Sequence, residues 1–502
     1  MILSGAAAAE PDARGGSRLG AACDIIVVAG TIVSVEPHRP ERGGGHVVDL
    51  RGTLVTPGLI NGHTHSHEAL HRGRYEKLPL EVWMHYVRPP FPTRPLDART
   101  VYLRTMAVAL EALGSGATAI VDDVNLLPWL RDDHIEAVFT AYRDAGIRAF
   151  VGLSLIDLPF HASVPWVDDE LPGDIRARMS ADLPPGDELL QLTRDLVNRF
   201  PASARVSAIV APSAPQRCSD AFLHEALTFA REAGVPAITH VHETRLQAVT
   251  AQLRYGRTMI EQLDVLGLLS PGLTLIHGAW LRPDDCERLA ANGTSVQHNP
   301  TSNLRLGSGI APVRAMLDAG VNVSLGTDGC SSCAASGMLA AVRDAALIHS
   351  LRGADPSGWI TTREAFSMGT DRAARALLAG DRLGQIAPGY RADLTFYRTD
   401  GVAMTPLADP LAQLVHGAGA AALHTTVVDG EVVYRNGQPC RVDQAALLRE
   451  LREAHFLLLP ELERIDSLVD ELQPTYARIL RRALAHPIPH DTIEARLADQ
   501  DR

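Results

Sequence analysis

Between residues 54 and 326 one unit recurs eight times: a compact run rich in β-branched residues, then a helix-like stretch. The runs are 54–60 (LVTPGLI), 117–124 (ATAIVDDV), 148–156 (RAFVGLSLI), 206–211 (VSAIVA), 236–241 (PAITHV), 273–277 (LTLIH), 294–298 (TSVQH) and 321–326 (VNVSLG). Such texture is expected of strands buried on both faces. The stretches between them, such as VYLRTMAVALEALGSG and AFLHEALTFAREAG, end in glycine, a helix-stop signal. Eight strand–helix units predict an α/β fold, a (β/α)8 TIM barrel, over an open doubly wound sheet. No GxGxxG or GxxxxGK[ST] stands in the right setting, so no nucleotide-phosphate cradle is indicated.

A barrel of about 250 or more residues leaves part of a 502-residue chain over. Short β-branched runs precede it (CDIIVVAGTIVSVEPHRP, HVVDLRGTLVTPGLI) and follow it (GQIAPGYRADLTFYRT, HTTVVDGEVVYRNGQ). Paired, these flanks make one small β-sandwich domain from 21–57 and 386–440, around a barrel over 58–385. Residues 1–20, alanine- and glycine-rich without a basic start, are expected to be a disordered leader and not a signal peptide. From 441 to 502 the leucine spacing predicts amphipathic helices. Packing on the barrel is the plainer expectation for them; a subunit interface, and with it a homo-oligomer, is the alternative.

A net charge of -12 argues against nucleic acid as main partner, since phosphate binding wants a basic face. No stretch approaches the ~20 apolar residues needed to span a bilayer. Six cysteines are too few for a disulfide scaffold, which points to the cytoplasm. That leaves a small molecule as the expected partner.

Polar residues gather where the candidate strands end. The first runs into Asn61-Gly62-His63-Thr64-His65, the fifth into Thr239-His240-Val241-His242-Glu243, the sixth into His277-Gly278 and the eighth into Gly326-Thr327-Asp328-Gly329. Alternate residues of an extended chain point the same way, so His63 and His65 can offer two imidazoles to one ion. Barrel enzymes carry their sites at the C-terminal ends of the strands, where all these residues converge. A lone His-x-His or Thr-Asp-Gly is usually a surface pair or a turn; the coincidence at strand ends is what carries weight. Imidazole nitrogen with carboxylate oxygen suits zinc, or iron(II), and three His plus one Asp leave room for water activated by the metal.

The runs TPGLINGHTH, HRGRYEKLPLEVWM, THVHET, IHGAWL, HNPTSNLRLGSGIAPV and LGTDG resemble the amidohydrolase superfamily over roughly residues 20–440. The resemblance is closest to the branch of cytosine and guanine deaminases, methylthioadenosine/S-adenosylhomocysteine deaminases and triazine hydrolases. It implies one divalent ion, Zn2+ first and Fe2+ as alternative, held by His63, His65, His240 and Asp328. It also implies Glu243 as proton shuttle and His277 as the group that polarises substrate or water. The implied reaction is hydrolytic deamination of an aminated heterocycle or cyclic amidine: metal-bound hydroxide attacks the carbon bearing the amino group and ammonia leaves. Asp328 can also take a proton from the water, and His277 donate to the developing oxygen. Alternatives are another leaving group (chloride, alkylamine, thiol), hydrolysis of a cyclic amide or imide, or a barrel that only binds. Some superfamily members bridge two metals with a carboxylated lysine after a middle strand. Lys77 is the only lysine here, so one metal is expected.

Trp83 could stack on a flat heterocycle, or be buried in the barrel rim. His67, Asn299, Ser302, Asn303, Cys330 and Cys333 are further candidates for the pocket wall. In Ala211-Pro212-Ser213, Ser213 stands where the nucleoside deaminases usually carry histidine. After Trp83 the chain reads MHYVRPPFPTRP, without the acidic residue that grips ribose in methylthioadenosine deaminases. Both departures argue against an adenosine-type nucleoside. The Cys330/Cys333 CxxC lacks a thioredoxin-like setting and is taken as two small residues near the pocket.

Overall fold

The computed structural model describes residues 1–13, 15–40, 45–179, 183–333 and 337–488. The N-terminal flank supplies β1 (Ile2–Pro11), β2 (Ser17–Val28), β3 (Thr31–Pro37), β4 (Val47–Asp49) and β5 (Thr53–Pro57). The barrel follows as β6 (Leu59–Thr64), β7 (Ala117–Val124), β8 (Arg148–Leu155), β9 (Val206–Ala208), β10 (Ala211–Pro212), β11 (Ala237–Val241), β12 (Leu273–His277), β13 (Ser295–His298) and β14 (Val323–Leu325). The chain then returns to the flank as β15 (Leu394–Arg398), β16 (Leu423–Val428), β17 (Glu431–Arg435) and β18 (Gln438–Pro439).

The barrel strands pair in parallel in two arcs, β6–β7–β8 with β9 and β10, and β11–β12–β13–β14. A parallel bridge between Val210 and Ala237 joins the arcs on one side, and Asp328 N donates to His63 O at 3.0 Å on the other. This is a (β/α)8 barrel whose fourth strand comes in two pieces. Period-two alternation sorts its side chains. Ala119, Val121, Phe150 and Ile276 fill the interior with Ala373 and Ala374 of the helix Asp371–Ala376. Ile120, Ala149, Val151 and Leu275, one position away, join the larger core beneath the surrounding helices.

The two flanks meet in one nine-stranded sheet, β18–β17–β16–β15–β5–β1–β2–β3, with β4 beside β1. The join is β5 against β15, antiparallel. Its own core includes Leu3, Ile25, Ile32, Val48, Val55, Leu394, Phe396 and Val427.

Two expectations need correcting. Residues 1–20 are not a disordered leader. β1 is paired with β2, β4 and β5, and buries Leu3, Ala6 and Ala7, so it is part of the small domain. Alanines make poor strand formers alone but fit where neighbours crowd both edges. The run 54–60 is two strands: β5 belongs to the small domain and β6 to the barrel, with Gly58 at the switch. A Cβ at Gly58 would lie 2.1 Å from the Thr118 side chain, so only glycine lets the chain turn there.

The C-terminal segment is helical, Gln444–Asp470 and Gln473–Ala485. Ile465, Val469, Tyr476 and Ile479 pack in a second core with Leu80, Trp83 and Tyr86 of the helix Leu80–Val87 and with Leu246 and Val249. Tyr86 Oη donates to Asp470 at 2.6 Å and Arg74 pairs with Asp466 at 2.6 Å. The final part of the predicted extension, 489–502, lies outside the described residues. Among the described residues no helix is long and apolar enough to cross a membrane.

Candidate metal centre

Four side chains from three parts of the sequence face one point at the C-terminal mouth of the barrel. His63 Nε2 lies 3.2 Å from His240 Nε2 and 3.5 Å from Asp328 Oδ1; His65 Nε2 lies 3.4 Å from the same Oδ1. The nitrogens of His63, His65 and His240 all fall within 4.8 Å of one another. The backbone decides which nitrogens face inward. His65 Nδ1 donates to Asp123 O at 2.7 Å and His240 Nδ1 to Ser213 O at 2.6 Å. With the hydrogen held on Nδ1, each Nε2 presents a bare lone pair. His63 Nδ1 finds no partner among the described residues.

Burial, then the charge of His63, pushes the His65 and His240 pKa values well down, so both rings are neutral. Burial pushes Asp328 up, but the bond with His63 and the surrounding imidazoles outweigh it and hold the carboxyl well below its usual range. Nitrogen lone pairs aimed at one another beside an ionised carboxylate repel unless a cation lies between them. Two ligands each ~2.0–2.1 Å from a tetrahedral zinc stand about 3.3 Å apart, close to the separations observed. The donor set therefore fits one small divalent ion.

A second group adjoins the first. His277 Nε2 lies 3.6 Å from Glu243 Oε2 and 3.9 Å from Asp328 Oδ2. Burial, then Asp328 and Glu81, pushes Glu243 well above the carboxylate range, which keeps it protonated. Asn303 Oδ1 lies 2.8 Å from His277 Nδ1, and Asn299 Nδ2 3.5 Å from it. With Asn303 accepting, the His277 hydrogen sits on Nδ1 and Nε2 is an acceptor. In the donor role expected of it, His277 would first take up a proton at Nε2. Ser302 Oγ donates to Asp328 Oδ2 at 2.6 Å, and Gly329 N to Oδ1 at 2.9 Å. His242, His277 and Asp328 have φ of 51°, 76° and 66°, so left-handed non-glycine backbone clusters here, as it does at functional sites.

The remaining sequence candidates are spread more widely. Ser213 sits beside the cluster through its carbonyl. His67 Nδ1 accepts from Asn125 N at 3.1 Å and lines an adjoining cavity with His71 and Arg104. Trp83 is buried and packs in the core under the C-terminal helices. Cys330 meets Arg72 Nη2 at 3.2 Å and belongs to the outer barrel core, and Cys333 reaches Asp328 O at 3.7 Å. Lys77 is exposed, in the loop before the helix Leu80–Val87.

Sequence reasoning missed several groups. Glu68, fully buried, accepts from Ser331 N (3.2 Å) and Oγ (2.6 Å), and a Cβ at Gly329 would lie 1.9 Å from its Oε2. Burial and Asp328 push Glu68 up to about 8. Asp123 Oδ2 lies 3.9 Å from Nδ1 of both His65 and His240, and burial pushes it up to about 6. Asp122-Asp123 closes a strand as His63 and His240 do, a signal that the search for imidazoles passed over. Arg88 and Arg217 carry no such signal; only the fold brings them together.

The amidohydrolase family model matches residues 54–433, from β5 to β17. The chain belongs to that family. This amidohydrolase is 31% identical over 430 residues to the 5'-deoxyadenosine deaminase of Methanosarcina mazei, covering 86% of this chain and 92% of the relative. It is 33% identical to the 5-methylthioadenosine/S-adenosylhomocysteine deaminase of Thermococcus kodakarensis, covering 82% and 89%. Among solved structures it resembles an adenosine deaminase from Xanthomonas campestris with bound zinc: TM-score 0.79, 27% identity, 93% of this chain and 98% of the other. It likewise resembles the atrazine chlorohydrolase of Arthrobacter aurescens complexed with zinc: TM-score 0.79, 25% identity, 90% and 99%.

Proposed function

We propose that this amidohydrolase deaminates an aminated heterocycle by hydrolysis, using one divalent ion held by Nε2 of His63, His65 and His240 and by Asp328 Oδ1. The observation that carries this reading is the pairing of a metal-competent donor set with a buried carboxyl, Glu243, 3.6 Å from His277. The deaminase relatives and the zinc in two structural neighbours support it. The ion, zinc first, would supply Lewis acidity that makes water a nucleophile at neutral pH.

The chain's own groups then manage protons. Asp328 Oδ2 and His277 Nε2 face one space and can take a proton from attacking water, with Ser302 fixing the carboxylate. Glu243, neutral, gives its proton to the ring nitrogen next to the carbon under attack, so water adds across the C=N bond. The proton taken by Asp328 passes to the amino group, the C–N bond breaks and ammonia leaves, while the new hydroxyl returns its proton to Glu243 so that a carbonyl remains. Such acid–base steps contribute roughly 10²–10⁴-fold.

Ammonia release by zinc-loaded protein across aminopurines, aminopyrimidines, pterins and triazines tests the reading, with chloride and new carboxylate scored alongside. Ammonia from any member supports deamination. Chloride or carboxylate without ammonia would keep the centre and replace the reaction.

A further inference from the structure

Ser213 has two faces. Its carbonyl holds the His240 ring, while its hydroxyl accepts from Arg88 Nη1 at 3.4 Å and Arg217 Nη1 at 3.1 Å. Arg88 Nη1 also reaches Ser154 Oγ at 3.2 Å. Two guanidiniums thus converge on one serine, in the position where the resembling nucleoside deaminases carry a histidine; the short side chain leaves them the room. Among the described residues both hydrogen-bond to serine hydroxyls, and neither forms an ion pair with an Asp or Glu. Acids act on them only at longer range: Glu243 and then Asp123 on Arg217, and Asp123, which faces the imidazoles, on Arg88. Arg217 is buried, its guanidinium lies 4.6 Å from the centroid of the Phe160 ring, and its Nε has no partner. Burial, with the charge of Arg88, pushes it down to about 10.

Both arginines line a cavity of about 490 Å³ walled by Phe91, Trp129, Ile156 and Phe160. Like charges that share a hydroxyl, Arg217 buried and Arg88 half-buried, are costly unless a counter-charge arrives. Elsewhere this chain supplies one itself: buried Arg148 meets Asp393 at 2.7 Å. A planar guanidinium fork matches carboxylate or phosphate oxygens.

We propose that Arg88 and Arg217 form an anion subsite one residue from the metal ligand His240, and that the heterocycle accepted here carries a carboxylate or phosphate group. This rests on the deaminase reading for the heterocycle, not for the anion.

The test is titration calorimetry on zinc-loaded full-length protein with matched pairs: pterin and pterin-6-carboxylate, cytosine and cytosine-5-carboxylate, adenosine and adenosine 5'-monophosphate. Ammonia release is measured separately. The anionic member of at least one pair is expected to bind about 10- to 100-fold more tightly than its neutral partner, the size of a lost charge-assisted contact. Which pair shows it tells carboxylate from phosphate. Arg88→Gln and Arg217→Gln should each erase most of the preference, and Arg217→Lys should keep part of it. Should a variant not fold, the wild-type preference decides, with competition by inorganic phosphate alone. Tighter anion binding without ammonia upholds the subsite and sinks the deaminase reading. Ammonia from neutral members with no anionic preference does the reverse. Phosphate binding that survives in a folded R88Q/R217Q double variant belongs to the metal centre and overturns the subsite.

Discussion

An imidazole offers a metal one defined nitrogen when its other nitrogen is held by a hydrogen bond. His65 and His240 meet that condition through the carbonyls of Asp123 and Ser213, both at strand ends. The His-x-His spacing and the strand-end positions were legible in sequence because period-two geometry is local. The carbonyl partners were not, since they come from other strands. Nor were Glu68 and Arg88, whose neighbours Ser331 and Ser213 are 263 and 125 positions away and meet them only in the fold. Glu243 gives the sharpest residue-level expectation. Glu243→Gln keeps the shape but cannot pass a proton to a ring nitrogen, so kcat should fall about 10²–10⁴-fold while metal content holds. Steady-state kinetics beside elemental analysis check this; activity within a few-fold of wild type would remove Glu243 from the proposed chemistry.

At the scale of elements, the strand–helix alternation was readable and its edges were not. Sequence patterning divides the two domains at 57/58, but the run 54–60 reads as one strand because a Pro-Gly step can either turn or extend. β1 was hidden because alanine-rich composition looks like disorder until both edges are seen to be paired. What pins β1 is Asp24, which accepts from Ser4 Oγ (2.8 Å), His38 Nδ1 (2.8 Å), Gly5 N (3.2 Å) and Arg39 N (3.1 Å). Burial pushes its carboxyl up, but the bonds from His38 and Ser4 win and hold it at about 2. A carboxyl depressed on folding stabilises fully above its unfolded pKa of about 3.9, and loses that contribution as pH falls through its folded value. Asp24 should therefore contribute about 2 kcal/mol at pH 7 that fades between roughly pH 4 and pH 2. In urea unfolding, the deficit of Asp24→Asn against wild type should shrink across that window. A deficit independent of pH would show that the charge is not what matters.

The whole molecule is a barrel fastened to a sheet built from both of its flanks. That organisation was legible because strand-rich segments bracket the alternating region, but the fastening was not. It runs through Arg148 at the start of β8, which pairs with Asp393 (2.7 Å) and Asp429; Asp429 also meets Arg205 (2.9 Å) and Arg391. Removing one partner of a buried pair strands the other, at a cost of about 3–5 kcal/mol. Arg148→Met should lower unfolding free energy by that order, and a loss under 1 kcal/mol would mean that the two parts are held by packing alone. Everything proposed about function, however, rests on one ion at the mouth of the barrel. The direct measurement is metal per chain by elemental analysis, in wild type and in His240→Ala, after chelation and reloading with zinc or iron(II). About one ion per wild-type chain, lost in the variant, is the expected result. No metal retained by wild type, or equal metal in both, would contradict the centre and the chemistry built on it.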